Sequence, residues 1–223
     1  MVLAMTKKNQ TIVSILGSSY FQPIANLVDR WFTKAHPKTN SVQSGYYEHG
    51  YAASVIILLI AMFESYIVRV RYLNSSAVPE DVRSAIYVLK NVYPKFRCFK
   101  ALTDVYVLRD VLFHNHLWEI DFSWGGPQGM LKNNASLHPS FGDKKYRNRV
   151  NQKSLRTKAI GLSVIPTKVN RTDARKVFQT IWKCLLFLEN KDFNQCSVSH
   201  THVWYRKKNI LFGDLIEEFK KAP

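Results

Sequence analysis

The longest apolar run, from Tyr51 to Phe63, most limits what this chain can fold into. It is shorter than the ~18–20 residues that a helix needs to span the hydrocarbon of a bilayer, so we expect a buried core helix and no membrane anchor. The run lies inside a longer apolar segment from Tyr46 to Asn74. Its β-branched residues would also suit a strand, but a segment of this length favours a helix. The sequence therefore predicts one long, buried core helix.

Several other segments show the apolar spacing of amphipathic helices that pack around such a core. The predicted helices cover Tyr20 to Lys34, Ser76 to Tyr93, Lys95 to Leu117, Thr172 to Asn190 with Thr172 as the N-cap, and about Asn209 to Lys221. We predict an all-α helical bundle that forms a single domain over residues 1–223.

The periodicity changes between residues 119 and 170. A turn cluster from Trp124 to Gly129 is followed by a short β-type stretch from Lys158 to Val169. We therefore predict a basic insertion with a small β-hairpin over residues 119–170, and a C-terminal extension over residues 193–223.

The charge balance indicates a polyanionic partner, because 32 Lys and Arg against 16 Asp and Glu give a formal net charge of +16. Nucleic acid fits best, ahead of an anionic membrane surface or an acidic protein. Eleven basic residues and only two acids lie between Gly142 and Val177. We predict that RNA binds this segment; the alternative is a solvated loop whose charges serve no single ligand. The predicted RNA-binding residues are Lys144, Lys145, Arg147, Arg149, Lys153, Arg156 and Lys158.

The cysteines indicate the compartment. Cys98, Cys184 and Cys196 are odd in number and lack CxxC spacing, which argues against a disulfide framework. Since the N-terminal segment also lacks the pattern of a signal peptide, we expect a reducing cytoplasm. Cys196, His200 and His202 could be assembled into a zinc site, but their spacing matches no standard metal motif. We expect neither a metal nor another cofactor.

Four residues that can do chemistry fall close together in the predicted fourth helix: Arg109, Asp110, His114 and His116. A guanidinium, a carboxylate and an imidazole can bind a phosphodiester and transfer protons near neutral pH. At ~100° per residue, Asp110 and His114 lie ~40° apart on a helix, whereas Arg109 lies ~140° from His114. His116 lies within ~20° of Arg109, so it is the rival base.

The segment from Arg109 to His114, RDVLFH, resembles the signature of the HEPN superfamily, in which an arginine is followed by a polar residue and then by a histidine several residues on. The sequence also admits the longer spacing to His116. Many HEPN proteins carry a long apolar helix whose embedded glutamate faces the arginine, and Glu64 corresponds to that position. The resemblance covers the helices from about Tyr20 to Leu117 and from Thr172 to Asn190, but not the basic insertion.

The resemblance implies a ribonuclease that needs no metal. The ribose 2′-OH would attack the adjacent phosphate and leave a cyclic phosphate and a free 5′-OH. His114 would handle the proton, Arg109 would stabilise the charge on phosphate, and Asp110 would position one of them. The resemblance also implies a homodimer, and such proteins are common in toxin–antitoxin and phage-defence systems.

Three alternatives stay open. Arg109 and Asp110 could form a structural ion pair, with His114 as a histidine that only ends the helix. The chain could be a non-catalytic RNA-binding module that uses the same basic surface. It could also be an interaction subunit whose charge docks an acidic partner, such as an antitoxin.

Overall fold

The computed structural model describes residues 15–33, 42–113, 118–121, 130–134, 144–194 and 196–221. In these ranges the fold is mainly helical with small antiparallel hairpins, which confirms the predicted all-α class with a small β insertion. The helices are α1 (Phe21–Thr33), α2 (Val42–Leu73), α3 (Ala85–Val92), α4 (Phe99–Phe113), α5 (Lys144–Arg149), α6 (Arg171–Lys191) and α7 (Leu215–Lys221). The strands pair as β1 (Trp118–Asp121) with β2 (Met130–Asn134), β3 (Val150–Asn151) with β4 (Arg156–Thr157), and β5 (His202–Tyr205) with β6 (Lys208–Leu211).

Helix α2 is the centre of the bundle, as the apolar run predicts. It contacts α1, α3, α4 and α6, and it buries residues such as Ile56, Leu59 and Phe63 completely. Among the described residues, Glu48–Leu73 is long and apolar enough to cross a membrane, but half of its apolar 18-residue window is buried inside the protein. Packing against four helices accounts for the apolar run.

One carboxylate on α2 ties three helices together. Glu48 accepts a hydrogen bond from the indole Nε1 of Trp31 on α1, at 2.8 Å, and another from the backbone N–H of Arg171 at the start of α6, at 3.0 Å. Trp31 is completely buried, so its N–H needs this acceptor. The start of α6 is also an electropositive position that favours a nearby carboxylate.

Several helix starts differ from the prediction: α2 begins at Val42 and not at Tyr46, and α4 begins at Phe99 and not at Lys95. The third helix begins at Ala85 and not at Ser76, because Val78 before Pro79 takes an extended conformation and only a 3₁₀ turn precedes it. The N-cap of α6 is Asn170 and not Thr172. The Asn170 side chain accepts hydrogen bonds from the backbone N–H groups of Thr172 and Asp173, and the Asp173 carboxylate accepts one from the N–H of Asn170.

The helix predicted over Asn209 to Lys221 is wrong in its first half. The β5–β6 hairpin and a 3₁₀ turn at Phe212–Asp214 occupy that position, and α7 covers only Leu215–Lys221. The strand β5 alternates in burial, with Val203 and Tyr205 inside. Phe212 and Phe219 then enter the main core and contact Phe178 of α6 at ring distances of 5.0 and 6.2 Å.

The β-type stretch predicted over Lys158 to Val169 is also wrong. It forms one isolated bridge, between Arg156 and Ser163, and a 3₁₀ turn at Pro166–Lys168. Three of its backbone N–H groups donate to buried carboxylates and not to a neighbouring strand. Asp104 of α4 accepts from the N–H groups of Ala159 and Ile160 at 2.7 and 2.9 Å, and Asp173 of α6 accepts from the N–H of Ser163 at 3.1 Å.

Candidate functional site

Helix α4 gathers the candidate catalytic residues on one face. Tyr106, Arg109, Asp110 and Phe113 follow one another at the three- and four-residue spacings that share a face. The Nε of Arg109 lies 3.6 Å from the Oε1 of Glu64 on α2, and its Nη1 lies 3.2 Å from the Oδ1 of Asp110. The structure therefore brings together the three sequence-predicted residues Glu64, Arg109 and Asp110.

The three charged side chains are neither buried nor fully exposed. The exposed fractions are 33% for Arg109, 37% for Glu64 and 20% for Asp110. A ligand can therefore reach the guanidinium, while the surrounding protein still limits how far the side chains move. Such partial burial strengthens an electrostatic contact compared with one in bulk water.

Two aromatic side chains that the sequence analysis did not single out complete this face. The guanidinium carbon of Arg109 lies 5.8 Å from the ring centre of Tyr106 and 5.5 Å from that of Phe113. Burial and the neighbouring Glu64 carboxylate raise the pKa of Tyr106 well above its usual range, so its hydroxyl stays protonated. Tyr106 lies three residues before Arg109 and Phe113 lies four residues after it. This helical spacing is the sequence signal from which both could be predicted.

The two candidate bases, His114 and His116, lie outside the described residues. The described part of α4 ends at Phe113, one residue before His114. The predicted geometry between Arg109, Asp110 and either histidine stays a prediction.

The predicted RNA-binding residues lie on α5 and the β3–β4 hairpin. Lys144, Lys153, Arg156 and Lys158 are exposed, whereas Arg147 and Arg149 are half-buried; the side chain of Lys145 lies outside the described part of the chain. Arg156 also has a structural task, since its guanidinium donates to the carbonyl of Gly161 at 2.9 Å and lies 3.8 Å from Asp173.

This basic segment packs on a different face of α4. Tyr146, Val150 and Val164 form a small apolar cluster with Val107 and Val111 of α4. At ~100° per residue, Val107 and Val111 lie about 130° around the helix from the middle of the Tyr106–Phe113 face. The basic segment and the cluster of Glu64, Arg109 and Asp110, here called the Arg109 cluster, therefore lie on different faces of α4.

Two of the three alternative zinc ligands, Cys196 and His202, contact backbone carbonyls. Among the described residues there is no cluster of three or more His, Cys, Asp and Glu side chains that could hold a metal ion. The buried thiol of Cys196 donates to the carbonyl of Leu185, and the Nδ1 of His202 contacts the carbonyl of His200.

Two thiols meet between helices: Cys98 lies just before α4, and Cys184 lies on α6. No sequence pattern predicts this pair, because the two residues are far apart in the chain. A side-chain hydrogen bond with Cys184 lowers the pKa of Cys98 to about 6. The same hydrogen bond and burial raise the pKa of Cys184. All three cysteines are free thiols.

No protein family profile, no curated protein and no solved structure matches this chain.

Proposed function

We propose that this protein is a metal-independent endoribonuclease of the HEPN type. The observation that carries the proposal is the cluster of Glu64, Arg109 and Asp110, in which two helices hold one partly exposed guanidinium between two carboxylates. The overall charge of +16 supports a polyanionic substrate. The basic segment on α5 and the β3–β4 hairpin supplies a surface on which RNA can bind beside α4.

The proposed reaction is an internal transfer within RNA. The 2′-oxygen attacks the adjacent phosphorus, the bond to the 5′-oxygen breaks, and the products are a cyclic phosphate and a free 5′-OH. His114 or His116 accepts the proton of the 2′-OH, and a proton returns to the leaving 5′-oxygen. Arg109 stabilises the negative charge that builds on the phosphate oxygens.

In this proposal Glu64 and Asp110 are positioning residues. They contact Arg109 from two sides and fix the direction of its guanidinium. The phosphate then competes with the carboxylates for the same N–H donors. Holding the guanidinium in advance reduces the cost of orienting it when RNA binds.

Two apolar side chains at this face support the proposed homodimer. Phe113 is exposed beside Arg109, and Val68, also exposed, lies one helical turn along α2 from Glu64. A second copy would cover such side chains and place two Arg109 clusters at one groove. A toxin or phage-defence role in a reducing cytoplasm, restrained by an acidic partner such as an antitoxin, is part of the same proposal.

One observation favours a second candidate, a non-catalytic RNA-binding module. The cluster holds one cation and two carboxylates, so by formal charge it does not attract phosphate until a carboxylate moves away. In that case the basic segment binds RNA and the Arg109 cluster is a structural ion pair.

Cleavage of total RNA in EDTA, with analysis of the new ends, tests the proposal. Wild type should leave cyclic phosphate ends, and Arg109→Ala should cut at least about a hundredfold more slowly, since single electrostatic donors contribute on that order. Replacing His114 and His116 by Ala separately identifies the base. Arg83→Ala removes the same charge from an exposed loop residue and should cut normally.

Two outcomes would count against the proposal. If Arg109→Ala cuts as fast as wild type, the activity belongs to another site or to a contaminant. If wild type binds RNA tightly and does not cut it, the binding-module function replaces the enzyme. Light scattering on the same preparations measures the oligomeric state, for which a homodimer is expected.

A further inference from the structure

The β5–β6 hairpin combines an exposed tryptophan with a cationic turn. Trp204 is 63% exposed, although indole is among the largest apolar groups a protein can bury. The chain turns at Arg206 and Lys207, and Lys208 opens β6. We call His202, Trp204, Arg206, Lys207 and Lys208 the hairpin platform.

The register of the hairpin explains why the indole faces outward. Val203 and Tyr205 point into the core, so His202 and Trp204 lie on the opposite, exposed face of β5. Trp204 pairs across the strands with Asn209, which is also exposed and carries a small polar side chain. One face of the indole is therefore available to a planar ligand.

The backbone beneath the tryptophan is fixed. The side-chain amide of Gln22 on α1 accepts a hydrogen bond from the N–H of Trp204 at 2.9 Å and donates one to its carbonyl at 3.0 Å. This reciprocal pair holds the edge of β5 against α1. A ligand that stacks on Trp204 therefore finds the strand already ordered, which lowers the entropic cost of binding.

The two turn positions carry cationic residues, although their backbone conformation favours glycine. Arg206 and Lys207 have φ angles of 47° and 61°, in the left-handed region. Two-residue hairpin turns of this kind favour Asn-Gly, because at such angles a Cβ lies too close to the following carbonyl oxygen, and only Gly and, less strictly, Asn adopt them readily. Two long cationic side chains are thus held in a disfavoured backbone conformation, and such positions are often functional.

The cations of the platform are also accessible. Lys207 and Lys208 are exposed, and no carboxylate of the described residues forms an ion pair with either. Arg206 is partly engaged, because its Nη1 lies 3.7 Å from Glu218 and its guanidinium lies over the Tyr205 ring. The platform therefore offers two unpaired positive charges within a few residues of an exposed indole.

We propose that the hairpin platform binds single-stranded RNA, with one base stacked on Trp204 and the flanking phosphates on Lys207 and Lys208. This inference rests on the proposed function only in taking RNA as the partner, and not on cleavage. Every base has a π-face, so stacking on a fixed aromatic ring beside cations binds single strands with little sequence preference. The bases of a duplex are already stacked and cannot reach the indole.

Fluorescence anisotropy with a 2′-O-methyl oligouridine of about 15 nucleotides tests the inference, since this probe lacks the 2′-OH that cleavage needs. Trp204→Ala should weaken binding by about fivefold to a hundredfold, the range of a single base–aromatic stack. Trp204→Phe should restore most of the affinity. Binding of heparin, which has charges but no bases, should be the same for wild type and Trp204→Ala.

A matched pair of double variants tests the phosphate contacts. K207A/K208A and K220A/K221A each remove two positive charges, but Lys220 and Lys221 are paired with Glu217 and Glu218 at 2.8 Å. Only K207A/K208A should weaken RNA binding markedly. It should also flatten the dependence of log affinity on log salt by about 1.4, the value for two single-strand phosphate contacts.

The outcomes separate the inference from the proposed function. Unchanged RNA binding by Trp204→Ala, with wild type binding well, overturns the inference and leaves the ribonuclease intact. A wild type that binds no RNA at low salt overturns both. If Trp204→Ala loses binding to vesicles of anionic lipid and not to RNA, the platform is a membrane contact. A 4-thiouridine crosslink from wild type that maps to β5 supports the inference without any variant.

Discussion

Helix α4 carries two aspartates on different faces. The carboxylate of Asp104 is completely buried and accepts hydrogen bonds from two backbone N–H groups. The carboxylate of Asp110 is one-fifth exposed and forms an ion pair with Arg109. The residue type and the helix are the same. The Asp104 carboxylate fixes a loop, whereas the Asp110 carboxylate orients a cation that a ligand can reach. Burial and the kind of partner therefore separate a structural acid from a candidate functional one.

The largest expected effect is a loss of stability when Asp104, on the buried face of α4, is replaced. Asp104→Ala leaves the N–H groups of Ala159 and Ile160 without an acceptor, so the free energy of unfolding should fall by about 2 to 4 kcal/mol. Asp104→Asn keeps one acceptor oxygen and should lose less. Denaturant unfolding measures both, and Asp110→Ala is the control from the other face. Equal losses for Asp104→Ala and Asp110→Ala would remove the contrast between the two faces.

The next largest effect is on RNA cleavage, when Glu64, the α2 partner of Arg109, is replaced. Glu64→Gln keeps the shape of the side chain but frees Arg109 from one carboxylate, so RNA should bind somewhat more tightly while cleavage slows by about tenfold or more. The free energy of unfolding should change by less than about 1 kcal/mol, because the pair is partly exposed. Glu80→Gln, on an exposed loop, is the matched control. A large loss of stability with unchanged cleavage would mean that the Glu64–Arg109 pair is structural.

The smallest expected effect is a pH dependence of the free energy of unfolding, caused by Asp173, the second buried carboxylate. Burial raises the pKa of Asp173 above its usual value, although the N–H groups of Ser163 and Asn170 and the charge of Arg156 act in the opposite direction. The folded state then binds the proton more tightly than the unfolded state. The stability this gives is complete below the unfolded pKa and is lost as pH rises through the folded pKa.

Asp173→Asn tests that pH dependence. The unfolding free energy of wild type, relative to the variant, should increase as the pH falls from 7 toward the usual pKa of an aspartate. Denaturant melts at several pH values measure the difference. A difference that shrinks on acidification would show that the hydrogen bonds outweigh the burial.

The helices that depend on local spacing could be predicted from the sequence. The apolar runs that produce α1, α2 and α4 are long enough to show their period, and Arg109 and Asp110 are neighbours in the chain. Only the resemblance to HEPN proteins predicts a role for Glu64. Its contact with Arg109 depends on how α2 and α4 pack, which spacing within either helix does not determine.

The elements that were predicted wrongly depend on distant or very short signals. The stretch from Ala159 to Ser163 takes its acceptors from Asp104 and Asp173, so its β-branched and apolar residues do not form a strand. The alternation in β5 lasts only four residues and is weaker than the helical pattern that follows it. The platform at Trp204 becomes visible only when the register of the hairpin is known.

The contact between Gln22 and Trp204 also has a consequence for biosynthesis. The two residues are 182 positions apart, so at about 5–20 residues per second α1 is made roughly 10 to 35 seconds before its partner strand. In the finished fold the ring of Phe21 lies 4.6 Å from that of Phe212, and the ring of Trp31 lies 6.0 Å from that of Phe219. During that interval these α1 aromatics can pack on α2, as Phe21 does on Tyr66 and Trp31 on Tyr51, but they lack their partners from the C-terminal segment. We expect the bundle to close only after residue 219 has been made.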